Sequence, residues 1–184
     1  MGRYDMRIMG VDPGTLITGY GVIDCVGKKF TLVDCGIIKT GAKVLMPLRL
    51  RQIHIGLMEV LERTMPDEFA IESAFYSKNV QSTLKLGHAR GVSILAAALR
   101  EVPTSEYSPR EVKQSVVGHG NASKEQVAYM VRALLKLKES DEFPLDATDA
   151  LGVALCHGSK LSRPRARVKS WRQFVEENPG RVGK

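Results

Sequence analysis

The order of apolar segments predicts an α/β protein: a mixed five-stranded sheet with helices on both faces. Three strand-like segments joined by short turns come first, a helix-patterned segment leads to a fourth strand, and further helices flank a fifth. Short turns imply antiparallel neighbours, whereas a strand, helix, strand order implies a parallel crossover. The chain has 184 residues, 43% of them apolar, which is enough for one packed core.

The first three predicted strands form a meander. Residues 6–12 are a short apolar run that ends in Asp12 before a Pro-Gly turn, as is typical of a buried strand. Residues 18–26 and 29–40 flank the two-residue link of Gly27 and Lys28. Because β-branched residues are frequent on both sides of this short link, the two segments predict a β-hairpin.

Two helices and a strand follow the meander. Residues 47–65 place apolar side chains on one stripe at helical spacing, and residues 67–73 form another short apolar strand. The next helix spans about residues 79–100 and contains Gly87 and Gly91 one turn apart. The missing side chains permit a close approach, either by the sheet or by another subunit.

The last part of the predicted core is mainly helical. Residues 104–107 predict a fifth strand, and residues 109–117 predict a helix that begins at a proline. Ser123, with a glutamine three residues later, forms a capping-box pattern at the start of a further helix. Pro144 opens the last core helix, which runs to about residue 160.

These elements assign residues 6–161 to one α/β domain and residues 162–184 to a basic tail. The tail has seven Lys or Arg and two Asp or Glu side chains, whereas residues 1–161 have 20 and 18. We expect the tail to be mobile or to form a short helix, since Ser170 and Gln173 repeat the capping-box pattern. Its charge favours sequence-independent attraction to a polyanion.

Composition excludes several classes of protein. Charged residues make up 26% of the chain, and no apolar run approaches the roughly 18 residues of a membrane span. The N-terminus lacks a signal-peptide pattern, so we expect a soluble cytoplasmic protein with no membrane partner. Cysteines without a CxxC pair predict free thiols rather than a disulfide or a zinc site. A pI near 9.4 favours a polyanionic partner only weakly, because many globular proteins carry such charge as solvated surface.

Four carboxylates are the strongest indication of chemistry in the sequence. Asp12 ends the first strand and Glu72 ends the fourth, while Asp146 and Asp149 lie one turn apart at the start of the last helix. Open α/β sheets bind ligands beyond the carboxyl ends of their strands, where Asp12 and Glu72 are expected. Two acids one turn apart repel each other unless a cation lies between them.

Each carboxylate also has an interpretation without chemistry. Asp12 before Pro-Gly is a common turn former, and Glu72 alone could be a solvated strand end. Asp146 and Asp149 suit the positive end of a helix dipole. Together, however, the four predict an oxygen-rich site for two Mg²⁺ ions, with Mn²⁺ as a substitute. Two such ions about 3.5–4 Å apart serve in-line hydrolysis of a phosphodiester.

Four longer motifs connect these acids to a known family. The sequence resembles the RuvC family of bacterial Holliday-junction resolvases over residues 6–161, in the segments GVDPGTLITGYGVI, FAIESAFYSKNVQSTLKLGHARG, YSPREVKQSVVGHGNASKEQV and LDATDALGVAL. The segments occur in the order and at the spacing that the family requires. The resemblance implies the RNase H-like fold shared with retroviral integrases, and a homodimer that cuts two opposed strands of a four-way DNA junction.

Carried onto this chain, the resemblance makes the four carboxylates the metal-binding catalytic acids. It implies symmetric hydrolysis without a covalent intermediate, in which one ion activates a water and the other stabilises the departing 3′ oxygen. The products would be ligatable 5′-phosphate and 3′-hydroxyl ends. The family acts in DNA recombination and repair beside a branch-migration motor, which is the expected partner complex.

The resemblance also implies DNA contacts. Lys113 and Lys124 match basic positions that contact phosphate or stabilise transition-state charge, although either lysine alone would be interpreted as solvated. Phe75 matches an aromatic that stacks on junction bases, although an aromatic here could equally belong to the core. Tyr76 beside it favours the exposure of at least one of the two rings. The remaining expected DNA contacts are Lys78, Lys85 and Arg90.

Two rival functions fit parts of the sequence. An actin-like or sugar-kinase-like ATPase also opens with a strand and an Asp-x-Gly-Thr turn, but it needs a much longer chain and a second phosphate loop. A non-catalytic relative would bind junctions or a partner protein with the four acids in structural roles. Metal-dependent nicking of DNA distinguishes a resolvase from both.

Overall fold

The computed structural model of the chain describes residues 5–73, 79–138 and 141–161. Within these ranges five strands form one sheet: β1 (Asp5–Asp12), β2 (Ile17–Val26), β3 (Lys29–Lys39), β4 (Glu68–Glu72) and β5 (Thr104–Tyr107). The same ranges contain five helices: α1 (Met46–Thr64), α2 (Val80–Leu99), α3 (Pro109–Val117), α4 (Lys124–Leu135) and α5 (Leu145–Leu161).

The sheet is mixed, with the strand order β3-β2-β1-β4-β5. β1, β2 and β3 form the predicted antiparallel meander, while β4 and β5 run parallel to β1. α1 and α2 lie on the connections that bring β4 and β5 into the sheet. The predicted fold class is confirmed, and the predicted ends of the elements differ from the observed ends by one residue at most.

Both faces of the sheet are buried. Successive residues of β1 point to opposite faces: Ile8 belongs to a core completed by α3, α4 and α5, whereas Met9 belongs to a core completed by α1 and α2. Leu57 of α1 and Leu151 of α5 are fully buried in these two cores. Burying one such side chain contributes about 1.5–3 kcal/mol. In the described part of the chain, none of the helices combines the length and the apolar character that crossing a membrane requires.

Side-chain caps determine where α3 and α4 begin. Ser108 and Glu111 form a reciprocal capping box at α3. Ser123 and Gln126 form the predicted capping box at α4. Each cap satisfies backbone N–H groups that would otherwise lack partners, at roughly 1 kcal/mol. The cap of α4 matters for the site, because Lys124 is the first residue of that helix.

α5 lies directly against β1 and β2 because glycines leave no side chains between them. A Cβ at Gly19 would lie 1.9 Å from the carbonyl oxygen of Asp146, and a Cβ at Gly10 would lie 2.2 Å from that of Ala150. Gly19 is paired with Asp12 across β1 and β2. The start of α5 is therefore held beside the end of β1.

The predicted basic tail lies outside the described residues. The last of them is Leu161, which is also the end of α5. Residues 162–184, including the predicted capping box at Ser170, are not among them. The division of the chain into residues 6–161 and a separate tail therefore stays a prediction.

Candidate active site

Two neighbouring parallel strands bring Asp12 and Glu72 together. β1 and β4 are in register up to Val11 opposite Ile71, so the residues that end the two strands lie side by side. Adjacent strands are about 4.8 Å apart. The two carboxyl groups are close enough for each to shift the pKa of the other. Two of the four predicted acids thus meet at one edge of the sheet.

α5 brings a third carboxylate to the same place. Asp12, Glu72 and Asp149 line one cleft of about 290 Å³, together with Lys113 and Lys124. The rest of the wall is apolar and consists of Pro109, Val112 and Val127. The cleft therefore combines three acids and two bases from five separate segments of the chain.

Asp146 takes a different position from the other acids. It lies one turn before Asp149 on α5, and it is not among the described residues that line the cleft. Its negative charge is nevertheless close enough to raise the pKa of Asp12. The backbone carbonyl of Asp146 is the group that lies over Gly19. The structure therefore places three predicted acids in the cleft and the fourth beside it.

Burial and like charge raise the pKa of both strand-end carboxyl groups. For Asp12, burial is the largest cause of the raised pKa, and the negative charges of Asp149 and Asp146 add to it. For Glu72, burial is again the largest cause of the raised pKa, followed by the charge of Asp12. The positive charge of Lys124 acts in the opposite direction on both. A cation would relieve this cluster, because it removes the repulsion and part of the desolvation cost.

One lysine already contacts the cluster. Lys124 Nζ donates a hydrogen bond of 3.0 Å to Asp149 Oδ2. This ion pair connects the start of α4 with the first turns of α5. The lysine side chain is 72% exposed, so solvent screens the pair and its contribution to stability is at most about 1 kcal/mol.

The cleft offers hard oxygen ligands for a metal ion. Its described lining contains carboxylates but neither cysteine nor histidine, which suits Mg²⁺ or Mn²⁺. Across the described ranges, no group of three or more His, Cys, Asp or Glu side chains is already spaced to hold a metal. Instead, Asp12 and Glu72 lie beside each other and Asp149 bonds to Lys124. The donor set fits a divalent cation, and the carboxylates would exchange these partners to coordinate one.

Hydrogen bonds at the first turn of α3 orient this helix and with it Lys113. Glu111 accepts hydrogen bonds from Ser108 and, at 2.8 Å, from Lys160 near the end of α5. The pKa of Glu111 is lowered to about 2, chiefly by the hydrogen bond from the Lys160 ammonium and further by the hydrogen bonds from Ser108. α3 is thereby tied to the helix that carries Asp149, while Lys113 of the same helix lines the cleft.

Sequence reasoning missed the glycines that seat α5. Gly10, Gly19 and Gly21 all face α5, and a Cβ on any of them would come within 3 Å of its backbone. Their signal in the sequence is two glycines at alternate positions of β2, with a third on β1 opposite Gly21, which leaves part of one face of the hairpin without side chains. That pattern predicts a closely packed helix but does not identify which helix.

His157 lies in the core. It is only 2% exposed, and its Nδ1 lies 2.7 Å from the Tyr107 hydroxyl. Its Nε2 lies 3.5 Å from a Glu68 carboxylate oxygen. These contacts connect α5 with β5 and β4. No local pattern indicates them, because Tyr107 and His157 are 50 residues apart.

The other predicted DNA contacts lie on α2 or outside the described residues. Lys85 is exposed on α2. Arg90 is on the same helix, but it forms an ion pair with Glu106 of β5. The remaining three predicted contacts lie outside the described residues: Phe75, Tyr76 and Lys78.

Gly87 and Gly91 lie on an exposed side of α2. A Cβ at either glycine would meet no described atom within 4 Å, so these glycines do not pack against the sheet of their own chain. Val80, Leu84 and Leu95 are exposed on the same side. We call these five residues the α2 stripe. Of the two partners that the sequence left open, the sheet is excluded for the described chain.

Comparisons with known proteins cover the segments that form the cleft. The model of the family "Crossover junction endodeoxyribonuclease RuvC" matches residues 8–157. A protein of that name from Porphyromonas gingivalis is 44% identical over 181 residues, covering 95% of this chain and 96% of the relative. Another from Shewanella piezotolerans is 53% identical over 150 residues, covering 82% of this chain and 85% of the relative.

A solved structure is similar to this one as a whole. It is described as T. thermophilus RuvC in complex with Holliday junction substrate, and it is 37% identical in sequence with a TM-score of 0.79. The match covers 85% of this chain and 95% of that one. The residues that the family model matches include all four of the predicted acids.

Proposed function

Because the chain belongs to the RuvC family of crossover junction endodeoxyribonucleases, we propose that it cuts Holliday junctions at the cleft of Asp12, Glu72 and Asp149. The chain is an endonuclease of DNA recombination and repair by family membership. The assignment of that activity to particular residues rests on one observation. Three carboxylates from distant segments meet two lysines in a single cleft whose described lining has no soft ligand.

The four acids are the proposed metal ligands. Asp12 and Glu72 would hold Mg²⁺ from the sheet, and Asp149 would hold it from α5, with Asp146 of the preceding turn completing the set. Two ions per site are expected, and Mn²⁺ substitutes because it has the same preference for oxygen ligands. When bound, such ions generate a nucleophilic hydroxide and neutralise charge on the departing 3′ oxygen. The acids lie on packed elements, and their side chains would have to exchange their present partners to bind a metal ion.

The two lysines are proposed to act on the DNA phosphates. Lys113 and Lys124 line the same cleft as the acids, so a phosphodiester placed over the carboxylates would lie within reach of both. Their positive charge attracts the backbone and stabilises the extra negative charge of the transition state. Lys85 and Arg90 of α2, and the residues Phe75, Tyr76 and Lys78, are proposed as further DNA contacts.

We propose that the protein acts as a homodimer through the α2 stripe. A four-way junction presents two equivalent strands, and a two-fold dimer presents two equivalent sites to them. Gly87 and Gly91 let a second backbone approach closely, while Leu84 and Leu95 supply apolar area on either side. Exposed apolar area of this kind is typical of a surface that a partner covers. A branch-migration motor is the further partner expected from the family, and the cytoplasm is the expected location.

The proposal is tested with a synthetic four-way junction and a linear duplex of the same sequence. We expect paired symmetric nicks in the junction only, with Mg²⁺ and not with EDTA. Asp12→Asn should abolish them, whereas Glu59→Gln should retain them, because Glu59 is an exposed acid on α1 beyond the opposite face of the sheet. Junction binding without cutting would indicate a non-catalytic relative. Equal cutting of both DNAs would indicate a nuclease of other specificity.

A further inference from the structure

The cleft contains a cation of its own that a divalent metal would have to displace. Lys124 Nζ lies 3.0 Å from Asp149 Oδ2, at hydrogen-bonding distance. The same ammonium interacts electrostatically with Asp12 and Glu72. One lysine therefore balances charge on all three acids that line the cleft. Its positive charge reduces the repulsion among carboxylates that the fold holds close together.

We propose that Lys124 is the counter-ion of the metal-free cleft and is exchanged for the divalent metal. Asp149 would leave the ammonium when it coordinates the ion, and the freed Lys124 would then be available to a DNA phosphate. The inference rests on the proposed function, because it takes the cleft as the metal site. It adds that metal binding and phosphate contact are coupled through one side chain.

The position of Lys124 permits this exchange. Its side chain is 72% exposed, so the ammonium can swing toward solvent without moving the core. Its backbone is held at the start of α4 by the capping box of Ser123 and Gln126, so the helix does not have to move. An ammonium and a divalent ion compete for Asp149, because their positive charges repel each other at close range. Arrival of the metal therefore favours departure of the lysine.

Lys113 provides a matched control for the electrostatics of the cleft. It carries the same charge and lines the same cleft as Lys124. The ion pairs found among the described residues do not include it. Removing either lysine lowers the positive charge near the acids by one. Only removal of Lys124 frees a carboxylate oxygen.

The experiment measures Mn²⁺ binding to the full chain without DNA, by electron paramagnetic resonance. We compare the wild type with Lys124→Met and Lys113→Met. We expect Lys124→Met to bind Mn²⁺ about tenfold more tightly than the wild type, and Lys113→Met to stay within about twofold of it. Without metal, Lys124→Met should melt at a lower temperature than the wild type, and Mn²⁺ should raise its melting temperature more.

Two results would overturn the exchange. Lys124→Met could bind Mn²⁺ no more tightly than the wild type, or Lys113→Met could show the same gain, which would reveal a general charge effect. If the wild type cuts junctions in either case, the counter-ion role alone fails. If the wild type neither binds Mn²⁺ nor cuts junctions, the proposed function fails as well.

Discussion

Asp12 is a carboxylate on which both burial and the charges of neighbouring acids act. It is half-buried, and it is close enough to Asp149 and Asp146 for their charges to raise its pKa. In the metal-free protein a negative charge at this position is opposed by burial and by its neighbours. A negative charge at Asp12 therefore opposes the stability of the metal-free fold, as its proposed role as a metal ligand would require.

A substitution that keeps the shape of Asp12 separates these roles. Asp12→Asn should lower metal-dependent junction cleavage by at least about 100-fold, because it removes a charge on which the reaction depends. In EDTA, the same variant should be at least as stable to heat as the wild type, because a repelled and buried charge is gone. Cleavage assays and thermal melts measure the two effects. A variant that lost cleavage and melted much earlier would show that Asp12 supports the fold.

His157 shows a residue whose burial controls its charge. Burial lowers the pKa of the imidazole to about 4, and the positive charge of Lys160 acts in the same direction. The Glu68 carboxylate 3.5 Å away favours the charged form, but this distance is too long for a strong charge-assisted hydrogen bond. Burial also raises the pKa of Glu68 itself. The neutral imidazole bonded to Tyr107 is therefore the folded form.

This burial predicts a pH dependence of stability. The unfolded chain protonates His157 near pH 6.5, whereas the folded chain resists protonation until about pH 4. Because the unfolded state binds more protons at His157 in this window, the contribution of His157 to the free energy of unfolding should fall by about 1–3 kcal/mol as the pH decreases through it. Denaturant titrations from pH 7.5 to 4.5 measure the slope. His157→Gln should show a shallower slope, and His119→Gln, at an exposed position, should keep the wild-type slope.

At the scale of elements, the contact between α5 and the β1–β2 hairpin determines where the site can form. Gly10 lies beneath the backbone of α5, where a Cβ would approach the Ala150 carbonyl oxygen to 2.2 Å. No side chain can be accommodated there unless the helix moves. Movement of α5 would carry Asp149 away from Asp12. The close packing of α5 on the hairpin is thus required both for the stability of the fold and for the formation of the cleft.

Adding one methyl group at Gly10 tests whether α5 must pack this closely on the hairpin. Gly10→Ala should lower the free energy of unfolding by about 3 kcal/mol, the upper part of the range for overpacking a core. Gly152→Ala, within α5, is the control, because a Cβ there would meet its nearest neighbour at 3.4 Å. That variant should stay within about 1 kcal/mol of the wild type. Urea titrations measure both free energies of unfolding. Equal effects of the two substitutions would show that the close packing of α5 does not depend on the glycine at position 10.

The α2 stripe makes a prediction about assembly. Leu84→Glu places a charge in the proposed dimer contact, so the protein should sediment as a monomer where the wild type sediments as a dimer. Junctions should then be nicked on one strand at a time rather than on both together. Leu48→Glu, at another exposed leucine on α1, should leave the dimer intact. Sedimentation of both variants at equal concentration is the measurement, and a dimeric Leu84→Glu would exclude the stripe as the interface.

At the scale of the whole molecule, the positive charge is unevenly distributed along the chain. The formal net charge is +7, and residues 162–184 contribute seven basic and two acidic side chains to it. The described domain is close to neutral by comparison. A polyanionic substrate would therefore gain much of its non-specific attraction from the tail.

Removal of residues 162–184 tests whether the tail supplies this non-specific attraction. A chain ending at Leu161 should bind junctions more weakly, and the logarithm of its affinity should depend less steeply on salt, by about 0.9 for each phosphate that the tail neutralises in the full chain. Its cleavage rate at saturating DNA should be unchanged, because the cleft lies within residues 12–149. Titrations from low to high salt measure the slope. An unchanged affinity and slope would exclude the tail from DNA binding.

Local patterns predicted the elements of this protein well. Alternation, helical spacing and turn residues depend on neighbours within a few positions, so the strands of the meander and the capping box at Ser123 could be identified directly. The positions of Asp12 and Glu72 at strand ends followed from the same patterns. The rule that parallel strands share one side for their carboxyl ends placed both acids on the same side of the sheet, whereas their contact depends on the pairing of β1 with β4.

Distant contacts could not be predicted in this way. The sequence by itself determined the fold class and the family and indicated the four candidate acids, because these depend on local order and residue type. Only the tertiary structure decided that Asp149 enters the cleft while Asp146 lies beside it, and that Lys124 is the group that bonds to Asp149. The physical reason is that both outcomes depend on how closely α5 approaches the sheet. That distance is set by packing between segments that are far apart in the chain.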